Sequence, residues 1–350
     1  MRAAIGRRQP LMDNAESESS AHMTPSIAPR HLLADAHFHL FDFVQSSDGL
    51  AAAVEAMNAA GVDHAMVNGM AVCKKWSSWD PVEPKYYLDD DSRVYPYSAT
   101  DVLVYEQIMS LPEGERQRFH PFICGFDPTD RNAVDHVKRM LALFPNFWQG
   151  IGEIFARHDD LTALMYGEPG RANHVALDPV YELAAELDMP VSVHSDVTSV
   201  WETQNPIYLS EITEALHKHP ATKFVWCHAG VSRRLVVPTL VHSLHRLLAA
   251  HKKLYVDLSW VVYDDHLVLN GQARSDWLQL MEEFPERFMI GSDVVACMTS
   301  YVSTMTRYYV ILDALKPETA RRVARTNFLD ILPKEKVALP KSTLRGPLRT

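Results

Sequence analysis

The feature that most constrains this chain is a recurring unit: a short β-branched or aromatic run, a polar loop, then an amphipathic helical pattern. The runs are His31–Leu40 (HLLADAHFHL), Val62–Met70, Phe119–Phe126, Trp148–Phe155, Pro190–Asp196, Lys223–Gly230, Leu254–Trp260 and Phe288–Val294. Helical patterns follow them, among them Asp48–Ala60 (stopped by Gly61), Asn132–Phe144 and Ser300–Leu315. Continuous apolar runs of this kind suit a parallel sheet covered on its outer face. A doubly wound open sheet meets the same requirement. The eightfold count and the placement of polar residues favour a (β/α)8 TIM barrel of the α/β class, as a single domain over 31–332. A further helix, Glu318–Leu332, is expected to close the barrel bottom. Residues 1–30 read as a flexible arm, 71–100 as an insertion loop and 333–350 as a tail.

Composition narrows the partners. The 350 residues carry 34 basic and 44 acidic side chains, a net charge of −10. Nucleic acid and anionic membrane both need a basic face, so neither is expected as a partner. No apolar run is long enough to span a bilayer. The four cysteines, Cys73, Cys124, Cys227 and Cys297, show no C-x-x-C spacing and read as reduced thiols of a cytoplasmic protein. A small-molecule substrate is expected, and a homo-oligomer suits the 71–100 arm.

The chemistry lies at one end of each run. His37 and His39 end the first, Glu153 the fourth, His194 the fifth, His228 the sixth and Asp293 the eighth. In a parallel barrel the C-terminal strand ends converge on one face, where active sites form. Imidazoles and carboxylates together suit a divalent transition metal: zinc first, with manganese or ferrous iron as alternatives. The H-x-H spacing proves little by itself, since 17 histidines in 350 residues supply roughly one by chance. A second such pair, His217 and His219, falls on a helical pattern, where i and i+2 diverge, and reads as surface. On a strand i and i+2 share a face, so His37 and His39 can hold one ion. Glu153, after Gly150-Ile151-Gly152, suits either a ligand or a residue that orients a histidine.

The segments DAHFHL, GIGEIF, VHSD, CHAG and GSD, in this order, resemble the amidohydrolase superfamily, nearest to its amidohydrolase-2 type. The resemblance runs from His31 to Leu332, including ARTNFLDIL around Asn327. It implies that His37, His39 and Asp293 bind the more buried metal. His194 and His228 would bind or face a second position, and Asp293 would take the proton of the attacking water. Many two-metal members carry a carboxylated lysine on the fourth strand. This chain has Glu153 there, which is similar to the TatD-like branch, where a glutamate bridges. In single-metal relatives, including decarboxylases, His194 completes the site and His228 acts on substrate.

The expected reaction is hydrolysis of an amide, lactone or related carbonyl C–N or C–O bond, because a divalent ion makes hydroxide available near neutral pH and polarises a carbonyl. Metal-dependent decarboxylation or hydration comes second and a TatD-like phosphodiesterase third, with the acidic charge against the latter. A metal-free binding protein comes last. For substrate contacts, the aromatic loop 71–100 carries Trp76, Trp79, Tyr86, Tyr87, Tyr95 and Tyr97 with Arg93, which suits an apolar or aromatic substrate bearing a carboxylate. Arg157 and His158 after the fourth strand, and Trp260 after the seventh, are further candidates. Cys227 is expected to point away from His228 by strand alternation and to serve packing.

Overall fold

A computed structural model describes residues 30–76, 92–158, 161–202, 205–335 and 337–339. The N-terminal arm, most of the C-terminal tail and Trp79, Tyr86 and Tyr87 therefore lie outside the described residues. Eight parallel strands hydrogen-bond to one another in chain order: β1 (Leu33–Asp35), β2 (Val62–Val67), β3 (Phe119–Ile123), β4 (Gly150–Phe155), β5 (Pro190–His194), β6 (Lys223–Trp226), β7 (Leu254–Asp257) and β8 (Phe288–Met289). The curl of this sheet brings its two edges together. Ala36 N–H donates to the Ile290 carbonyl at 3.0 Å and Asp293 N–H to the His37 carbonyl at 2.8 Å. Beyond them Phe38–His39 pairs with Val294–Val295, again parallel. The TIM barrel expected from the repeated unit is thus the observed fold, and its closing seam runs through His37, His39 and Asp293.

Helices α1 (Gly49–Ala60), α2 (Ala99–Ser110), α3 (Ala133–Leu143), α4 (Asp178–Glu186), α5 (Leu209–Lys218), α6 (Leu240–Ala250), α7 (Ser275–Glu283) and α8 (Tyr301–Thr306) follow the eight strands. Their apolar spacing explains where they sit. In α6, Leu240, Leu244, Leu247 and Leu248 fall at i, i+4, i+7 and i+8 and are all buried against the sheet. Gly61 ends α1 with φ 72°, a left-handed conformation costly for any residue with a Cβ. Strands β4 and β5 are buried at every residue, as expected for strands covered on both faces.

Two helical expectations need amendment. The Ser300–Leu315 pattern is broken between α8 and Tyr309–Leu312. The break falls at Arg307 and Tyr308, whose side chains reach back to the ends of β7 and β8. The Glu318–Leu332 pattern becomes three successive segments, Pro317–Arg321, Arg322–Thr326 and Asn327–Ile331, the middle one a wide turn. Its role is as expected: Phe328, Ile331 and Leu332 cluster with Ala34, Met66, Phe122, Val225 and Met289 inside the barrel bottom. That plug leaves the opposite, C-terminal end as the open face.

Candidate metal centre

All six expected residues meet at that face. His37, His39, Glu153, His194 and His228 are at most 2 % exposed, and the Asp293 side chain is 12 % exposed. The Nε2 atoms of His37 and His39 are 3.2 Å apart. Glu153 Oε2 lies 3.4 Å from the first and 3.1 Å from the second. Asp293 Oδ1 lies 3.4 Å from both. Four donors around an ion at about 2.0–2.1 Å stand about 3.3 Å apart in a tetrahedron. Five edges of such a tetrahedron are therefore present in this donor set.

A second, looser set adjoins it. Glu153 Oε1 faces His194 Nδ1 at 3.0 Å and His228 Nε2 at 3.5 Å, and Asp293 Oδ2 is 3.9 Å from His228 Nε2. Each oxygen of Glu153 thus belongs to a different set.

The outer nitrogens explain which lone pairs point inward. His37 Nδ1 donates to Asp257 Oδ2 at 2.7 Å, and His39 Nδ1 donates to the Gly69 carbonyl at 3.0 Å. Ser259 gives its hydroxyl proton to Asp257 Oδ2 at 2.6 Å, so its oxygen accepts from His228 Nδ1 at 2.9 Å. His194 Nε2 is held by Asp196 Oδ1 at 3.1 Å, with Ser232 Oγ at 3.0 Å. These contacts assign the proton to the outer nitrogen of every ring and leave four lone pairs facing two carboxylates. Acceptors facing acceptors in a buried space require positive charge between them.

The titration behaviour reflects the same demand. Burial pushes the imidazoles down, but the carboxylates outweigh it: His39 is raised to about 9, His194 to about 10, and His37 well above its usual value. Burial pushes Glu153 up, yet His37 and the other imidazoles hold it well below the carboxylate range. Asp293 is lowered against burial in the same way, by His37 and His228. The donor types, spacing and charge balance fit a divalent cation.

Asp257 did not stand out in the sequence, although it ends β7 at the position where the other strands carry their ligands. Its Oδ2 holds both the His37 ring and Ser259, and its Oδ1 accepts from the Ser259 N–H at 2.9 Å. Orienting carboxylates of this type typically contribute 10–100-fold to metal affinity. Asp257→Asn is expected to weaken metal binding by about that factor in a chelator competition titration. Unchanged affinity would remove Asp257 from the site's support.

Backbone conformation corrects two expectations. His228 has left β6 and sits in a left-handed turn with Ala229, at φ 53° and 52°, and Asp293 is left-handed too, at φ 50°. Strand alternation therefore does not govern Cys227. Its thiol is buried, makes a 3.0 Å contact with Ser192 Oγ, and joins His37 and Asp257 in one cluster instead of pointing away. The HKH pair diverges as expected, but only His217 is at the surface. His219 is buried and its Nε2 contacts Asp178 at 2.8 Å.

The expected substrate contacts divide. His158 stacks on His194 with ring centres 4.3 Å apart, and burial with the neighbouring His194 lowers it to about 3, so it is neutral. The Trp260 indole is 5.1 Å from the His228 ring and 5.9 Å from that of His158. Arg157, in contrast, is engaged by Glu211 through three hydrogen bonds and covers Tyr208. Arg93 donates to the Ala163 carbonyl and lies over Tyr166. The described part of the 71–100 loop forms a hairpin, Val72–Lys74 with Val94–Pro96, on which Trp76 and Tyr95 are exposed.

Two cavities open here. A small one of about 60 Å3 holds His39, Glu153, His194, His228 and Asp293 with Phe43, Met70, Phe155, His158 and Trp260 around them. A cleft of about 450 Å3 shares Trp260, Asp293 and Val295 with it. Among the described residues no helix is long and apolar enough to cross a membrane.

A family model described as Amidohydrolase matches residues 34–333. Similar solved structures include a putative amidohydrolase from Staphylococcus aureus, at TM-score 0.52 and 11% identity, covering 85% of this chain and 98% of that one. A dihydroorotase from Campylobacter jejuni follows, at 0.51 and 15%, covering 86% and 83%. An amidohydrolase from Burkholderia multivorans with bound zinc is alike at 0.51 and 14%, covering 86% and 98%. At these identities the structural likeness concerns the fold. None of the curated proteins matches this chain.

Proposed function

The chain belongs to the amidohydrolase family, and from that membership we propose that it is a metal-dependent hydrolase cleaving an amide, lactone or related carbonyl C–N or C–O bond of a small molecule. Membership alone supports the broader statement that it is a metal-dependent hydrolase or decarboxylase. What carries the finer reading is the division of Asp293. Its Oδ1 lies 3.4 Å from the Nε2 atoms of both His37 and His39, and its Oδ2 faces His228 on the wall shared by both cavities.

In this reading His37, His39, Glu153 and Asp293 would hold one ion, and His194 and His228 beside Glu153 would form a second position. When bound, a divalent ion supplies Lewis acidity, polarising a carbonyl and making hydroxide available near neutral pH. Asp293 accepts the proton of the attacking water on Oδ2 and passes it to the leaving nitrogen or oxygen. His228, its Nδ1 fixed by Ser259, turns its Nε2 lone pair toward the Glu153 Oε1 side, where the second position would be. Phe43, Met70, Phe155 and Trp260 keep bulk water from the small cavity, which strengthens every charge interaction inside it.

The test joins metal analysis to activity. Elemental analysis of the purified chain is expected to find a divalent transition metal, zinc first. A screen of amides, lactones and esters is expected to yield turnover that a chelator abolishes and metal restores. Metal-free protein whose activity ignores chelator would sink the reading, and release of carbon dioxide without hydrolysis would move it to a decarboxylase.

A further inference from the structure

The cleft beyond Trp260 is not needed to hold an ion, and its lining points to what else the site accommodates. Trp260, whose backbone is left-handed at φ 60°, lines it together with Arg307, Asp264, Ser300 and Thr304. Among the described residues lining the cleft, Arg307 is the one cation. Its guanidinium lies 4.6 Å from the Tyr263 ring centre and 5.5 Å from that of Tyr308. The Tyr308 hydroxyl in turn lies 2.7 Å from the Leu258 carbonyl and 3.0 Å from that of Gly291, so the cation stands on the ends of β7 and β8.

This arginine keeps donors in reserve. A guanidinium carries five N–H groups. Arg307 spends one on the Trp260 carbonyl at 2.8 Å and one on Asp264 Oδ2 at 3.1 Å. The Asp264 side chain is 69 % exposed, so this pair is screened by solvent and readily exchanged. Arg307 is itself partly exposed, at 23 %, toward the cleft. The other two candidate cations are committed elsewhere, Arg157 to Glu211 and Arg93 to the Ala163 carbonyl.

We propose that this cleft is a subsite for a carboxylate attached to a planar or aromatic group. Arg307 is the partner of that carboxylate, and the Trp260 indole is the surface against which the planar group lies. A cleft of about 450 Å3 is ample for such a group. Asp293 borders both cavities, so a ligand anchored at Arg307 can present a carbonyl to the candidate metal centre. The inference rests on the proposed hydrolase only for that last step. The carboxylate preference assigned to the 71–100 loop in the sequence thus passes to a residue more than 200 positions later.

The test uses the full chain in its metal-loaded form and two probes of one shape, benzoate and benzamide, titrated by calorimetry. Benzoate is expected to bind about tenfold or more tightly than benzamide, the difference that a charge-assisted pair supplies. Arg307→Met is expected to bring the two probes level by weakening benzoate alone, and Arg307→Lys to retain part of the preference. Equal binding in the wild type overturns the proposal. So does a preference that survives Arg307→Met, which would send the carboxylate to the metal. Loss of both probes together in that variant also overturns it, by reducing Arg307 to a prop for Trp260. No turnover is read, so failure of the hydrolase screen and failure of this subsite are separately visible.

Discussion

Replacing Asp293 with Asn is expected to lower kcat by about 10²–10⁴-fold, the range that a positioned acid–base group contributes, while metal content stays at the wild-type level. The two side chains have the same shape, and an amide oxygen in the Oδ1 position still offers a lone pair to the donor set. The backbone that places it is unaffected, because the Asp293 N–H to His37 carbonyl bond belongs to the main chain. What the variant loses is proton acceptance at the Oδ2 position, where an amide NH2 would now point toward His228. Steady-state kinetics on any substrate found in the screen, with elemental analysis of the same preparation, reads both quantities. Full turnover with metal retained would take the proton-transfer role away from Asp293. Loss of metal together with turnover would make it a ligand only.

The site was legible in the sequence to the extent that strand ends were. His37, His39, Glu153, His194, His228 and Asp293 each close an apolar run, and parallel topology alone makes such positions neighbours. Asp257 closes the seventh run in the same way. LYVDLSW reads as an apolar strand with one polar interruption, and only the position of Asp257 at its end carries the signal. The failures have a different cause. Alternation places Cys227 only where a strand continues to His228, and the chain turns left-handed there. Left-handed non-glycine residues recur at His228, Trp260 and Asp293, all beyond strand ends at the candidate site, and no local composition announces them.

Long-range pairing was the other illegible layer. Arg157 follows Glu153 closely, but Glu211, 54 residues later, claims its guanidinium. Arg307 joins Trp260 only because the turn after α8 returns to the loop beyond β7, and nothing within a window around either residue indicates it. Propensity and periodicity report which face a residue takes on its own element. They carry no information about which distant partner satisfies a charge.

Glu153→Gln is the substitution that decides what kind of centre the histidines build. The carboxylate is buried, and its two oxygens lie within 3.5 Å of four imidazoles, His37 and His39 on one side and His194 and His228 on the other. If each oxygen serves its own ion, the wild-type chain holds two ions, and the variant holds at most one. Glutamine retains one acceptor, and its NH2 would stand where a second ion needs a lone pair. Turnover is expected to fall by about 10²-fold or more, because the proposed reaction would lose both a charge and the geometry that the bridge imposes. Without an ion the variant also leaves protonated imidazoles facing one carboxylate fewer. The loss of a partner from a buried charge cluster costs about 3–5 kcal/mol, so metal-stripped Glu153→Gln should unfold at clearly lower temperature than stripped wild type. Metal-loaded samples of the two should differ less, since one remaining ion still organises His37, His39 and Asp293. Elemental analysis and thermal unfolding of both forms read these outcomes. One ion per chain in wild type and variant alike, with turnover intact, would confine the chemistry to the His37, His39 and Asp293 donors. His228 would then be free to act on substrate directly, which would favour the decarboxylase alternative over the hydrolase.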